Sequence, residues 1–420
     1  MKYLSRARYW ALPLALGFCL SPVSVAAEQA VADLRSRALS ESVLTQLEQL
    51  PQIQTEAARL KQQQLAVDTA SQALYNPELG LEAENIGGDV DIEYSLSLSQ
   101  GYDRGDKRGL QTRLAQLEAQ QALAEFGLLR NEQLAALLTA WVDLDLARQT
   151  DAYTEQTQQR TEAMMVLARQ MVSVGEIAPL DGKLLQLELA RLAASRSDSQ
   201  RALIQAEAVL SRLGGASLLG LARTQTLALG ALPAPAPADR TRLPALQPAY
   251  QAVKAARALF SLSQIQAKAD PTFSIGASAD GNDQSMSVGV SIPLNIRNRF
   301  NGEIAQANQG IIIAEQAFLS QQRDLGIELD ALRQQLSLYS DSVTQWHALA
   351  EGPLQDSQSL LERQWRGGEI TTTDYLQSQQ QLTDTWASGA ELRAERARTW
   401  LALMATRGDL ELWLQQQQAR

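Results

Sequence analysis

The sequence predicts a mainly α-helical chain that lends four β-strands to a membrane β-barrel and is built as an internal two-fold repeat. Three observations predict this. Long stretches lack proline and carry apolar residues at helical spacing. Two short segments in each half alternate apolar with polar residues, the period of a strand. The matching features of the halves stand 193 or 194 residues apart: Gly175 and Gly368 each open a Gly-Glu-Ile turn, and "NPELGLEAEN" at Asn76 falls on "DPTFSIGASA" at Asp270. Composition agrees, with 45% hydrophobic but only 5% aromatic residues in 420.

The elements follow in order. Residues 1–27 read as an export signal. Lys2, Arg6 and Arg8 precede the apolar run "YWALPLALGFCL", and "VAA" before Glu28 suits cleavage after Ala27. Cys19, the one cysteine, lies inside it. A lipid anchor there is disfavoured by the bulk of Phe18, though the sequence leaves lipidation open. The rest of the chain has no cysteine, which excludes disulfides and thiolate chemistry.

The first repeat spans 28–213. Its β-hairpin, 78–99, sets Leu79, Leu81, Ala83, Ile92, Tyr94, Leu96 and Leu98 on one face, around a turn at Gly87-Gly88-Asp89. The other face carries Glu82, Glu84, Asp91 and Glu93. From Lys107 to Met171 there is no proline, enough for one rod of roughly 95 Å. A turn at 174–179 sends the chain back as a helix from Leu180 to Leu213. Residues 214–248, with their alternating Pro and Ala ("LPAPAPADRTRLPALQP"), read as an extended connector.

The second repeat spans 249–420. Its hairpin, 272–292, places Phe273, Ile275, Ala277, Met286, Val288, Val290 and Ile292 on one face, around a turn at Asp280-Gly281-Asn282-Asp283. In the helix that follows, Leu325, Leu329, Leu332, Leu336, Tyr339, Val343 and Trp346 step 4, 3, 4, 3, 4, 3, a heptad seam. Gly352-Pro353 is expected to break or kink it. A turn at 367–373 leads into a returning helix, Thr372 to Thr406. In both turns glycine lets the chain leave one helix, and Thr or Asp caps the next.

Four strands cannot close a barrel, and lipid does not tolerate an open edge. Three chains give a 12-stranded barrel with a lumen, where two would give a filled one. A homotrimer with its β-barrel in the outer membrane, continuous with a long periplasmic α-helical barrel, satisfies every feature. Threefold symmetry then multiplies the acids of the first hairpin into a lumen wall that favours cations, or is merely wetted. A soluble periplasmic coiled-coil scaffold is the contrary reading. The strand faces speak against it, because neither Lys nor Glu interrupts their apolar sides.

The sequence resembles the TolC-like outer-membrane efflux proteins, nearest their cobalt–zinc–cadmium heavy-metal branch. The resemblance rests on "NPELGLEAENIGG" (Asn76–Gly88), "SLSLSQGYDRGDKR" (Ser95–Arg108), "VGVSIPLNIRNRFNGEI" (Val288–Ile304) and the two Gly-Glu-Ile turns. Gly101 departs from the pattern, standing where a proline is usual, with no change of fold expected. The resemblance implies a homotrimeric exit duct that docks onto a periplasmic adaptor protein bound to an inner-membrane pump of the RND type. The docking tips would be residues 169–177 and 363–370, centred on Val174, Gly175, Glu176 and Ile177 and on Gly367, Gly368, Glu369 and Ile370. Asp374 matches a gate-lining position, Gln377 a second position that is acidic in some relatives, and Asp181 is the repeat-related site. The alternative for the glycines is helix termination alone, and for Asp374 a first-turn acid that complements the helix dipole. Heavy-metal cations are the expected cargo; a duct for drugs or for type I protein secretion is the alternative.

No catalytic constellation stands out. His347 is the only histidine, too few for a metal site without cysteine, and Met164, Met165 and Met171 read as packing. No enzyme activity and no cofactor are expected. A net charge of −10 with no basic patch argues against a nucleic-acid partner.

Overall fold

Alternating and helical segments separate in space, the strands into one sheet and the helices into a long layer beneath it. The structure is a computed structural model and describes residues 40–84, 92–224, 243–280 and 283–419. The export signal, Asp91, the Gly87-Gly88-Asp89 turn, Gly281-Asn282 and connector residues 225–242 lie outside the described residues. The chain runs α1 (Pro51–Ala70), β1 (Glu78–Glu84), β2 (Glu93–Gly101), α2 (Lys107–Val174), α3 (Pro179–Thr224) and α4 (Gln247–Gln266). It continues as β3 (Thr272–Asp280), β4 (Asp283–Ser291), α5 (Asn301–Trp346), a π-turn (His347–Glu351), α6 (Gly352–Arg366), α7 (Thr372–Arg407) and α8 (Leu410–Ala419).

The long proline-free stretch is a single helix of 68 residues, about 100 Å. Its return helix, expected to end near Leu213, breaks at Gly215 (φ 74°) and resumes to Thr224, because Leu218 and Ala222 are wanted in the core. That core lies midway along the layer. Leu137, Leu138, Trp141 and Leu144 of α2 meet Leu210 of α3, Trp400 and Leu401 of α7 and Leu410 and Leu414 of α8. Trp400 sits edge-on to Trp413, ring centroids 4.9 Å apart.

The heptad seam of α5 faces inward as its spacing requires. Leu329 and Val343 are buried, and the other five positions are partly buried. The seam ends on a tight fit: a Cβ on Gly389 of α7 would stand 2.2 Å from the Trp346 ring. The Trp346 indole N–H also donates to the Thr385 carbonyl at 3.3 Å. Just beyond, the expected interruption takes the form of the π-turn. Pro353 has no N–H for the Leu349 carbonyl, so the hydrogen-bond ladder must widen there.

The strands form one antiparallel sheet in the order β1-β2-β3-β4. No helix among the described residues is long and apolar enough to cross a membrane.

Candidate functional site

Two ends of the molecule carry the candidate residues. At one end, sheet register gathers side chains into rows. Leu79, Leu98, Ile275 and Val288 are direct neighbours across the four strands, as are Leu81, Leu96, Ala277 and Met286. Gln100, Phe273 and Val290 make a row below them, and Ala83, Tyr94, Ala279 and Gln284 a row above. These rows run from Phe273 to Ala279 of β3, about 20 Å. None of the described residues covers them: Leu81 is 77% exposed, Val288 84% and Met286 92%.

The opposite face is polar in equally regular rows. Glu82 pairs with Ser95, and Ser278 and Ser285 extend that row, their hydroxyls 2.8 Å apart. Glu84 and Glu93 stand directly opposite each other, and the same row continues through Asp280 and Asp283. The register thus brings Glu82, Glu84 and Glu93 to one face and adds two acids that the sequence reading assigned to a turn. Continuing the period-two alternation past Ser278 would have found Asp280. Like charges in directly paired positions oppose sheet stability, so the row has no structural motive of its own. It is not a chelating cluster; among the described residues no three Asp, Glu, His or Cys side chains converge on one point.

Where the sheet meets the helices, Asp270 is a hub. Its carboxylate accepts from the Tyr75 hydroxyl at 2.5 Å and from the Lys107 ammonium at 2.8 Å. Lys107 also donates to the Lys268 carbonyl at 2.7 Å. Burial pushes the Asp270 carboxyl up, but the hydrogen bonds from Lys107 and Tyr75 outweigh it and hold the group below its usual range. The same bond to Asp270 raises the Tyr75 hydroxyl to about 12. The Tyr75 ring packs against Gly101, where a Cβ would come within 2.8 Å. The departure at Gly101 therefore makes room for this ring.

At the far end lie the two turns. The Gly175 N–H donates to the Val172 carbonyl and the Glu176 N–H to that of Met171. The Gly368 N–H donates to Trp365 and the Glu369 N–H to Gln364 in the same way. Both glycines are left-handed, φ +80° and +70°, which satisfies the last carbonyls of each helix. After each turn the isoleucine folds back. Ile177 and Ile370 pack on a core of Met164, Met165, Met171, Leu185, Trp365 and Tyr375. The methionines are packing residues here. Burial raises the Tyr375 hydroxyl to about 12. The Trp365 indole N–H donates to the Thr372 hydroxyl at 3.1 Å. What remains outward is Val174, 71% exposed, with Glu176 and Glu369.

The next helices start with side-chain caps. Thr371 accepts from the Asp374 N–H at 3.1 Å, and its hydroxyl donates to the Asp374 carboxylate at 2.7 Å. On the first turn the Asp181 carboxylate accepts from the Ala178 N–H at 3.1 Å. Asp374 and Asp181 thus hold equivalent places three residues after the cap position, a structural reason for acids there. Asp374 is exposed nonetheless, as is Gln377 one turn on, while Asp181 is half-buried. A buried hydrogen bond from Gln379 to Thr161, 3.2 Å, ties α7 to α2 just above.

No protein-family model matches the chain, and no curated protein matches it in sequence. Solved structures do. A membrane protein from Pseudomonas aeruginosa superposes with a TM-score of 0.73 at 16% identity, over 89% of this chain and 90% of that one. The outer-membrane channel OprN gives 0.73 at 16% identity, over 88% and 90%. The outer membrane protein VceC of Vibrio cholerae gives 0.72 at 16% identity, over 88% and 96%. At such identities the likeness establishes the fold. This chain has, over nearly all its length, the fold of outer-membrane channel subunits.

Proposed function

We propose that the chain is one subunit of a passive outer-membrane exit duct in a tripartite efflux pump, in the manner of the TolC-like proteins its sequence resembles. The observation that carries this reading is the sheet. One face carries apolar rows about 20 Å tall, bordered by Gln100 and Gln284 in the outermost rows, the other is acidic and hydroxylated, and β1 and β4 each keep one unpaired edge. Three copies joined edge to edge give twelve strands with the carboxylates inside. The long helices then continue the duct through the periplasm to the two turns. Val174, Glu176 and Glu369 offer the outward surface for an adaptor, and Ile177 and Ile370 hold that surface rigid. Asp374, Gln377 and Asp181 form the constriction just inside.

The cargo in this reading is heavy-metal cations. The support is the acid row Glu84–Glu93–Asp280–Asp283 with Glu82 behind it, which concentrates cations at the sheet end without binding any one of them. Selection belongs to the inner-membrane pump.

Membrane fractionation with chemical crosslinking tests the duct. A trimer in the outer-membrane fraction is expected; a soluble periplasmic species would overturn it. Deletion should sensitise cells to zinc, cobalt or cadmium salts, and sensitisation to dyes and detergents alone would move the cargo to organic compounds. In planar bilayers Asp374→Lys should change conductance or cation preference; unchanged values remove the constriction.

A further inference from the structure

A groove of roughly 520 Å³ lies between α2, α7 and the π-turn, within the size range of small-molecule sites. It runs along α7 from Leu382 to Arg393, about 16 Å. The duct reading makes no use of it. Its lining is aromatic and cationic in an otherwise acidic chain. Tyr153 of α2 and Trp386 of α7 stack at 4.0 Å with planes 7° apart, and both line the groove. Trp346 adds a third aromatic wall.

The charged groups are unevenly matched. Arg160 enters from α2, Arg393 from α7, and His347 and Glu351 from the π-turn. The one acid is engaged: the Glu351 carboxylate lies 2.8 Å from the His347 Nδ1. Arg393 lies over the Trp346 ring, 5.2 Å from its centroid. Neither guanidinium donates a hydrogen bond to any described residue. Burial pulls Arg393 below its usual value; Glu351 opposes this and Arg396, a turn on, adds to it. A half-buried cation with open donors beside aromatic faces lacks an anion, and a planar guanidinium takes a carboxylate or sulfonate in two parallel hydrogen bonds. The π-turn sets His347 and Glu351 at the groove, and such turns are frequent at functional sites.

We propose that this groove binds a small aromatic anion, a carboxylate or sulfonate on a planar ring, with Arg393 and Arg160 holding the acid group and Trp386 and Trp346 the ring. The site does not depend on the duct reading, since it binds or fails to bind in the purified protein whatever the chain conducts.

Isothermal titration of the full-length protein in detergent micelles with naphthalene-2-sulfonate tests it, against a micelle blank. One saturable site per chain is expected. Arg393→Gln should weaken it at least tenfold and Arg160→Gln severalfold, with helicity unchanged by circular dichroism. The cationic analogue 2-naphthylmethylammonium should show no saturable heat. Trp386→Leu should weaken binding too, but it removes a stacked pair, so the two arginine variants decide. No saturable heat above the blank would overturn the proposal. So would equal affinity in both arginine variants, or equal binding of the ammonium compound.

Discussion

The two helical hairpins end alike and are built differently above the end. In each, a left-handed glycine closes the descending helix, an isoleucine turns into the shared core, and an acid three residues past the cap position steadies the next helix. Yet α2 descends as 68 unbroken residues, while its counterpart is divided into α5, a π-turn and α6. The first shaft has Gly127 with open space around it; the second presses Trp346 to contact against Gly389 of the returning α7. A terminal signal therefore fixes where a helix stops and says little about what the helix leans on along the way. The second shaft leans hard at one point, Trp346 on Gly389, and is interrupted directly after it.

The contrast is broken most severely at that point. Gly389→Leu should cost about 3 kcal/mol, because the Trp346 ring cannot retreat without freeing the seam. Gly127→Ala in the first shaft should instead add up to about 1 kcal/mol. Thermal unfolding in detergent compares the two; equal effects would show that the fit at Gly389 carries no weight. Next come the turns. Gly175→Val and Gly368→Val should each cost about 1–2 kcal/mol through the left-handed backbone, with nothing nearby to clash. Amide exchange at the two turns should accelerate alike, and an unequal response would mean that the turns are not equivalent. Smaller again, Thr371→Ala should cost about 1 kcal/mol by removing the cap of α7. Its effect should be confined to the first turn of that helix in the same exchange experiment.

The slightest effect is one of pH, at the junction both halves share. Asp270 is held below its unfolded value, so its stabilisation is complete above the ordinary carboxylate range and is lost as pH falls through the depressed value. Melting temperature should thus decline on acidification below about pH 4, and Asp270→Asn should flatten that part of the profile. An unchanged profile would mean that Lys107 and Tyr75 are not its partners in solution.

Much of this was legible in the sequence because it is local. Period-two alternation located all four strands, since the pleat repeats every second residue. The steps of four and three from Leu325 to Trp346 named the buried side of α5, and Gly-Glu-Ile located both turns. What stayed hidden depends on residues brought together from afar. Tyr75, Lys107 and Asp270 meet across 163 and 195 positions. Trp346 finds Gly389 only when α5 lies on α7. Nothing in the spelling of "WHALAEGP" says that the interruption will widen into a π-turn rather than end the helix. At the tip, the family resemblance marked Asp374 and the repeat marked Asp181, but neither gave the hydrogen bonds each makes at its helix start. Asp280 and Asp283 read locally as turn residues because Gly281-Asn282 separates them, yet the strands carry their pairing out to these two positions.

The free edges of β1 and β4 also govern timing. Backbone N–H and C=O groups along both edges are satisfied by water as long as the chain is in water, and by nothing once it enters lipid. The helical layer faces no such choice, since every helix bonds to itself. If the chain is the duct subunit proposed above, it can complete its shafts alone but must meet its companions before or during entry into the bilayer. In the proposed duct the membrane would therefore receive a finished ring rather than three separate ribbons.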